Sequence, residues 1–140
     1  MALSFKYKQI KRPNPLLPEQ EPVIPLILVG PNEKYETFGL LDSGADISAI
    51  PEPIADIIGL PKSGKRDKII GINGNAEVIA SRVKVIIKGV HQQETLDLPV
   101  NIIVSDKADF NFIIGRAGFF NRFEITFNET QRKVTLKPIR

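Results

Sequence analysis

Asp42-Ser43-Gly44-Ala45-Asp46 follows directly on the apolar pair Leu40-Leu41. Leu40 and Leu41 bury a strand end, so the Asp42 carboxylate emerges in a low-dielectric setting. Ser43 supplies a hydroxyl that can bond backbone across a loop. Gly44 lets the chain turn with no Cβ in the way, and Ala45 is small enough for close packing. Such a loop presents a carboxylate rigidly. A solvated turn accounts for it, and so does catalysis. One carboxylate is a modest general base. Two that face each other and share a proton are far more useful, one taking a proton from water while the other donates.

Other chemistries have less support. The chain has no Cys, which removes thiol nucleophiles, disulfides and Cys-based metal sites. Its one His, His91, falls in an expected surface turn, away from the packed setting of a triad His. No His or Cys cluster has metal-ligand spacing. Asp42-x-x-x-Asp46 lacks the alternating oxygen ligands of a calcium loop. "GINGNA" (71–76) lacks the Lys-Ser/Thr of a phosphate loop and the third Gly of a dinucleotide fingerprint. No metal and no cofactor are expected.

The elements that must hold Asp42 read mostly as β. "VIPLILV" (23–29) is an apolar strand, "GPNEK" a turn, and "YETFGLL" (35–41) the strand that delivers Asp42. "PEPIADIIGL" is a short helix with Pro and Glu in its first turn, an apolar face of Ile54, Ile57 and Ile58, and Gly59 as its stop. "KIIGINGNAEVIA" (68–80) is a hairpin around Asn-Gly-Asn. "RVKVIIK" and "TLDLPVNIIV" are further strands, "FIIG" is a short buried one, and "RAGFFNRF" is a short helix or turn. "EITFNETQRKVTLKPI" closes the chain as a hairpin around "NETQ". Many short strands with two brief helical pieces predict a closed all-β structure.

At the amino end, "LSFKYKQI" alternates Leu3, Phe5 and Tyr7 against Ser4, Lys6 and Lys8. It predicts a strand that pairs at a distance, with another chain as one option. Five of the 11 prolines lie between Pro13 and Pro25, so the link to the body is an extended connector. We therefore divide the 140 residues into an N-terminal extension, 1–22, and a body, 23–140. The net charge of +3 comes from 19 basic and 16 acidic side chains, without the aromatics of a nucleic-acid surface. "MALSFKYKQIKR" lacks a signal peptide's apolar core, and no apolar run approaches the roughly 18 residues of a membrane helix. The expectation is a cytoplasmic protein with no nucleic-acid or membrane partner.

"LLDSGADISAI" together with "FIIGRAGFF" resembles the retropepsin family, the single-domain aspartic proteases of retroviruses and their cellular and prokaryotic relatives. That family has Asp-Thr/Ser-Gly-Ala after two apolar residues, then a hairpin flap, then two apolar residues and Gly-Arg before a short helix. The three elements occur here in that order, over roughly Val23 to Ile139. The resemblance implies a closed β-barrel with one or two short helices and an aspartic endopeptidase activity. Asp42 would be catalytic, and Ser43 would bond across a dimer axis where many relatives have Thr. Gly44 and Ala45 would line the substrate groove. Asp46 would pair with Arg116, brittle if buried. Ile70, Gly71, Ile72, Asn73, Gly74, Asn75 and Ala76 would form the flap over an extended peptide or protein substrate. Ile113, Ile114 and Gly115 would pack behind the catalytic loop.

The chain carries one such motif, so a working dyad needs a homodimer with Asp42 of both chains on its two-fold axis. In the family, chain termini often pair between subunits, and "RKVTLKPI" or "LSFKYKQI" would do so here. The flap has fewer glycines than viral flaps, and the extension through Pro22 has no counterpart in the minimal viral enzyme. The rival reading is the same fold used as a non-catalytic dimerisation or peptide-binding module.

Overall fold

A computed structural model describes residues 2–10, 19–71, 74–105 and 110–139. The strands, in chain order, are β1 (Leu3–Lys6), β2 (Lys8–Ile10), β3 (Glu19–Glu21), β4 (Val23–Val29), β5 (Lys34–Leu41) and β6 (Ser48–Pro51). The helix α1 (Glu52–Ile58) comes next. Then follow β7 (Arg66–Gly71), β8 (Gly74–Lys88), β9 (Gln93–Ile103), β10 (Phe112–Ile114), β11 (Phe123–Asn128) and β12 (Lys133–Pro138), with a 3-10 turn at Phe120–Arg122.

Hydrogen bonding runs β4-β5-β10-β6-β9-β8 and returns to β4 through Ile27↔Ile86, Leu28↔Val85 and Val29↔Lys84. This closed ring is the barrel that the strand pattern predicts, and closure leaves it no free edge. Strict alternation decides which side chains fill it. On β9, Leu96, Leu98, Val100 and Ile102 point inward and are buried, while the residues between them remain accessible. Phe112 and Ile114 on β10, Ile50 on β6 and Leu26 and Leu28 on β4 meet them in one core.

α1 begins with Glu52 and Pro53 and ends at Gly59, whose φ of 81° is the left-handed cap. The Gly59 and Leu60 N–H groups both bond to the Ala55 carbonyl, at 2.9 Å each. The buried face of α1 is Ile54, Ala55 and Ile58; Ile57, expected to share that face, is 46% exposed. Ala55 takes its place because residues one and four from Ile54 span the stripe the barrel covers.

Two further expectations change. "RVKVIIK" is no separate strand: β8 runs unbroken for 15 residues and carries both the barrel wall and one arm of the hairpin. The hairpin ladder pairs Ile70 with Asn75 and Gly71 with Gly74, so Gly74 and Asn75 belong to the ladder and not to the turn. Ile72 and Asn73 lie outside the described residues.

β1 pairs antiparallel with β12 of the same chain, in register Leu3↔Leu136 to Lys6↔Lys133, and β12 pairs on its other side with β11. Leu3 and Tyr7 are buried in the same core as the barrel residues. Among the described residues no helix is long and apolar enough to cross a membrane. Because Leu3 is buried across a strand pair, Leu3→Ala should lower stability by about 2–4 kcal/mol in urea unfolding. A change below about 0.5 kcal/mol would mean that β1 contributes nothing to the fold.

Candidate active site

Asp42 is placed by a parallel strand pair. β10 runs parallel to β5, with Gly39, Leu40 and Leu41 opposite Phe112, Ile113 and Ile114. The ladder continues one step further, where the Asp42 N–H donates to the Ile114 carbonyl at 3.0 Å. On its other side β10 runs antiparallel to β6, with Ile113 opposite Ala49. One three-residue strand therefore grips the chain both before and after residues 42–47. Phe112 and Ile114 are fully buried, which anchors that grip in the core.

Within the loop the Gly44 N–H donates to Asp42 Oδ1 at 2.9 Å, and the Ala45 N–H donates to the Asp42 carbonyl at 3.1 Å. The first bond fixes the rotation of the carboxylate. Asp42 is half-buried, and Ser43 and Gly44 are exposed. Among the described residues no second carboxylate shares a hydrogen bond with Asp42. Two acids of α1 are engaged with a lysine: Glu52 and Asp56 both meet Lys62, at 3.3 and 2.8 Å. Hydrogen bonds to Asp56 and then to Glu52 hold the Lys62 ammonium above its ordinary pKa. Asp106 and Asp109 lie outside the described residues.

The segment after β10 seals the loop from behind. The Arg116 and Ala117 N–H groups donate to the carbonyls of Ala45 and Asp46, both at 2.9 Å. The Arg116 guanidinium donates to the Ser43 carbonyl at 3.1 Å and forms an ion pair with Asp46. That pair lies in solvent, with Asp46 81% and Arg116 53% exposed. It is therefore not the brittle buried contact considered above, and water screens it. Backbone bonds do most of the fastening.

Gly115 is buried where β10 meets the loop's far end. A Cβ there would lie 2.5 Å from the Ile47 carbonyl carbon and 2.8 Å from the Ser48 nitrogen, so only glycine allows this approach. Its N–H donates to Ser48 Oγ at 3.0 Å. Ser48 is fully buried and is a site residue that the motif reading missed. Its signal lay in the alternation of β6, where Ser48 and Ile50 occupy the inward positions.

The outward positions form a surface of their own. Leu40, Ile113, Ala49, Asn101 and Ala80 lie side by side on β5, β10, β6, β9 and β8. The first four are half-buried although they face out of the barrel. The row begins two residues before Asp42 on the same face of β5. The β7–β8 hairpin extends from the row's far end, with Ile70 86% exposed.

At the level of sequence, no family model and no curated protein matches. At the level of structure, the chain is similar to a retropepsin-like aspartic protease from Rickettsia conorii, with a TM-score of 0.55 over 97% of this chain and 91% of that one. The fold is retropepsin-like. Identity with the Rickettsia protein is 14%, so the likeness concerns the chain path and leaves the chemistry to the site. Lower scores, 0.49 and 0.41, are found for two other proteins. The first is the retroviral protease-like domain of Ddi1 from Leishmania major, at 14% identity over 85% of this chain and 95% of that one. The second is the EIAV protease in complex with the inhibitor HBY-793, at 22% identity over 70% and 84%.

In this retropepsin-like chain the two polar contacts behind the loop should differ in weight. Ser48→Ala leaves the buried Gly115 N–H without its acceptor and should cost about 1–3 kcal/mol in urea unfolding. Asp46→Asn removes a solvated ion pair and should cost less than about 1 kcal/mol. The reverse order would mean that the ion pair, and not the serine, fastens the loop.

Proposed function

We propose that the chain is an aspartic endopeptidase that acts as a homodimer, hydrolysing peptide bonds with water activated between Asp42 of the two chains. The observation that carries this reading is the Asp42 carboxylate. It is half-buried, held by the Gly44 N–H, and fixed at its backbone by the end of β10. A general base held this way loses little freedom when it acts. One carboxylate per chain is half of a dyad, and a two-fold axis through two such loops supplies the other half.

In the reaction, the ionised carboxylate takes a proton from water while the oxygen of that water attacks the peptide carbonyl. The protonated carboxylate donates to the carbonyl oxygen. Collapse of the tetrahedral intermediate passes a proton to the departing amine and regenerates the shared proton. Ser43 is assigned to the contact across the axis, Gly44 and Ala45 to the groove wall, and Arg116 with Asp46 to loop support. Ile113, Ile114 and Gly115 back the loop. Residues 70–76 act as the flap, closing over the substrate and shedding water.

The row Leu40, Ile113 and Ala49 supports a preference for extended peptides with apolar side chains near the cut. For the dimer, β12 is flanked on both sides, so an intersubunit extension of its sheet would use the outer strands β1 or β11. In this reading residues 23–140 carry all of the site. Residues 1–22 are an extension anchored to the body through Leu3 and Tyr7. A cytoplasmic location goes with it, in keeping with a chain without cysteine.

The test is peptide cleavage by the full chain and by Asp42→Asn, followed by mass spectrometry across pH and protein concentration. The expected result is a loss of at least about 10³-fold in kcat/KM on substitution. Specific activity should fall on dilution below the dimer's dissociation constant. The pH profile should be bell-shaped, reporting two values that belong to the pair. A folded, dimeric parent that cuts nothing at any pH would give the lead to the non-catalytic peptide-binding module.

A further inference from the structure

The outward row beside Asp42 is apolar except at one place. Asn101 stands on β9 between Ala49 of β6 and Ala80 of β8, and its neighbours along its own strand face are Pro99 and Ile103. These four adjacent positions are apolar, and the polar side chain diagonal to Asn101 on that face, Arg82 opposite Pro99, has its guanidinium bonded to Asp97. Asn101 is half-buried and its side-chain amide makes no hydrogen bond to a described residue; no buried side-chain nitrogen or oxygen there lacks a partner, so this amide is reached by water. Alternation alone allows a polar residue at this outward position; what sets Asn101 apart is its apolar company, Ala49, Ala80, Pro99 and Ile103. A primary amide in a half-covered apolar row retains its solvation only through water, and a ligand that replaces that water must match its donors and acceptor or forfeit affinity.

We infer that Asn101 is a specificity-determining residue of the proposed protease, selecting a substrate side chain that carries a carboxamide. This rests on the proteolytic reading above and adds the substrate class to it. A carboxamide offers one acceptor and two donor hydrogens, the same set as Asn101, so two antiparallel N–H···O bonds can form between them. A carboxylate lacks the donor that the Asn101 carbonyl needs, an ammonium lacks the acceptor that its NH₂ needs, and an apolar side chain lacks both. The position along the peptide follows from spacing. Asn101 is three strands from Leu40, and steps of about 4.8 Å give about 14 Å. An extended chain covers that distance in about four residues, so the selected residue lies within about four of the cut. The apolar part of the row is left for the residues at the bond itself.

The test compares the parent with Asn101→Leu on a peptide library, followed by kinetics on a matched pair of peptides with Gln or Leu at the selected position. The parent should enrich Gln or Asn at one position within about four of the cut. In Asn101→Leu that enrichment should vanish. Its kcat/KM for the Gln peptide should fall about tenfold, as expected for a hydrogen-bonded contact removed. The Leu peptide should be cut as well as before or better. Asn101→Leu keeps the side chain's approximate volume at an accessible position, and a thermal melt identical to the parent's confirms that the fold is retained. If the parent cuts peptides and the variant's profile is unchanged, the assignment of Asn101 is overturned while the protease reading stands. If a folded parent cuts nothing, the protease reading falls and takes this assignment with it.

Discussion

The structure turns on one hydrogen bond and the strand behind it. The Asp42 N–H donates to the Ile114 carbonyl, the last rung of a parallel ladder only three residues long. β10 reaches that place because it is inserted between β5 and β6, two strands that are consecutive in sequence. Residues 42–47 must therefore leave the sheet, pass over the end of β10 and re-enter on its far side. A loop pinned at both ends by a buried strand has few conformations left. That restriction turns an acid at the end of an apolar run into a positioned group.

Much of this was legible in sequence, for identifiable reasons. The barrel strands alternate cleanly, and Gly59 sits where a helix must stop. The last hairpin was also readable, because polar "NETQ" separates two alternating runs. Ile57 misled because apolarity at helical spacing does not say how wide a stripe the barrel covers. β8 misled because its sequence carries no mark where a wall strand becomes a hairpin arm. Only Ser81 was left between the hairpin and the strand "RVKVIIK", yet it lies on a continuous ladder opposite Val100.

For the candidate site, the sequence was informative about which segments meet and less so about how firmly they are held. The Asp42 loop and the "IIGR" segment come together, as long-range pairing requires. An acid and an arginine near each other in space say nothing about water, and the Asp46–Arg116 pair proves to be solvated. Ser48 was passed over because it belongs to no catalytic pattern. Its part is to accept the Gly115 N–H inside the core, which becomes visible only when β6 and β10 are laid side by side. Asn101 was hidden in the same way, since its setting depends on strands brought together from three parts of the chain.

The β1–β12 pairing also sets a schedule for synthesis. Residues 3–6 are made well before their partners 133–136. At ordinary ribosomal speeds the interval is on the order of ten seconds. Throughout it Leu3, Phe5 and Tyr7 have no β12 to cover them, and the core they complete stays open on that side. These contacts span a long stretch of sequence, so a nascent chain that stalls before residue 133 holds a barrel with an unsealed flank.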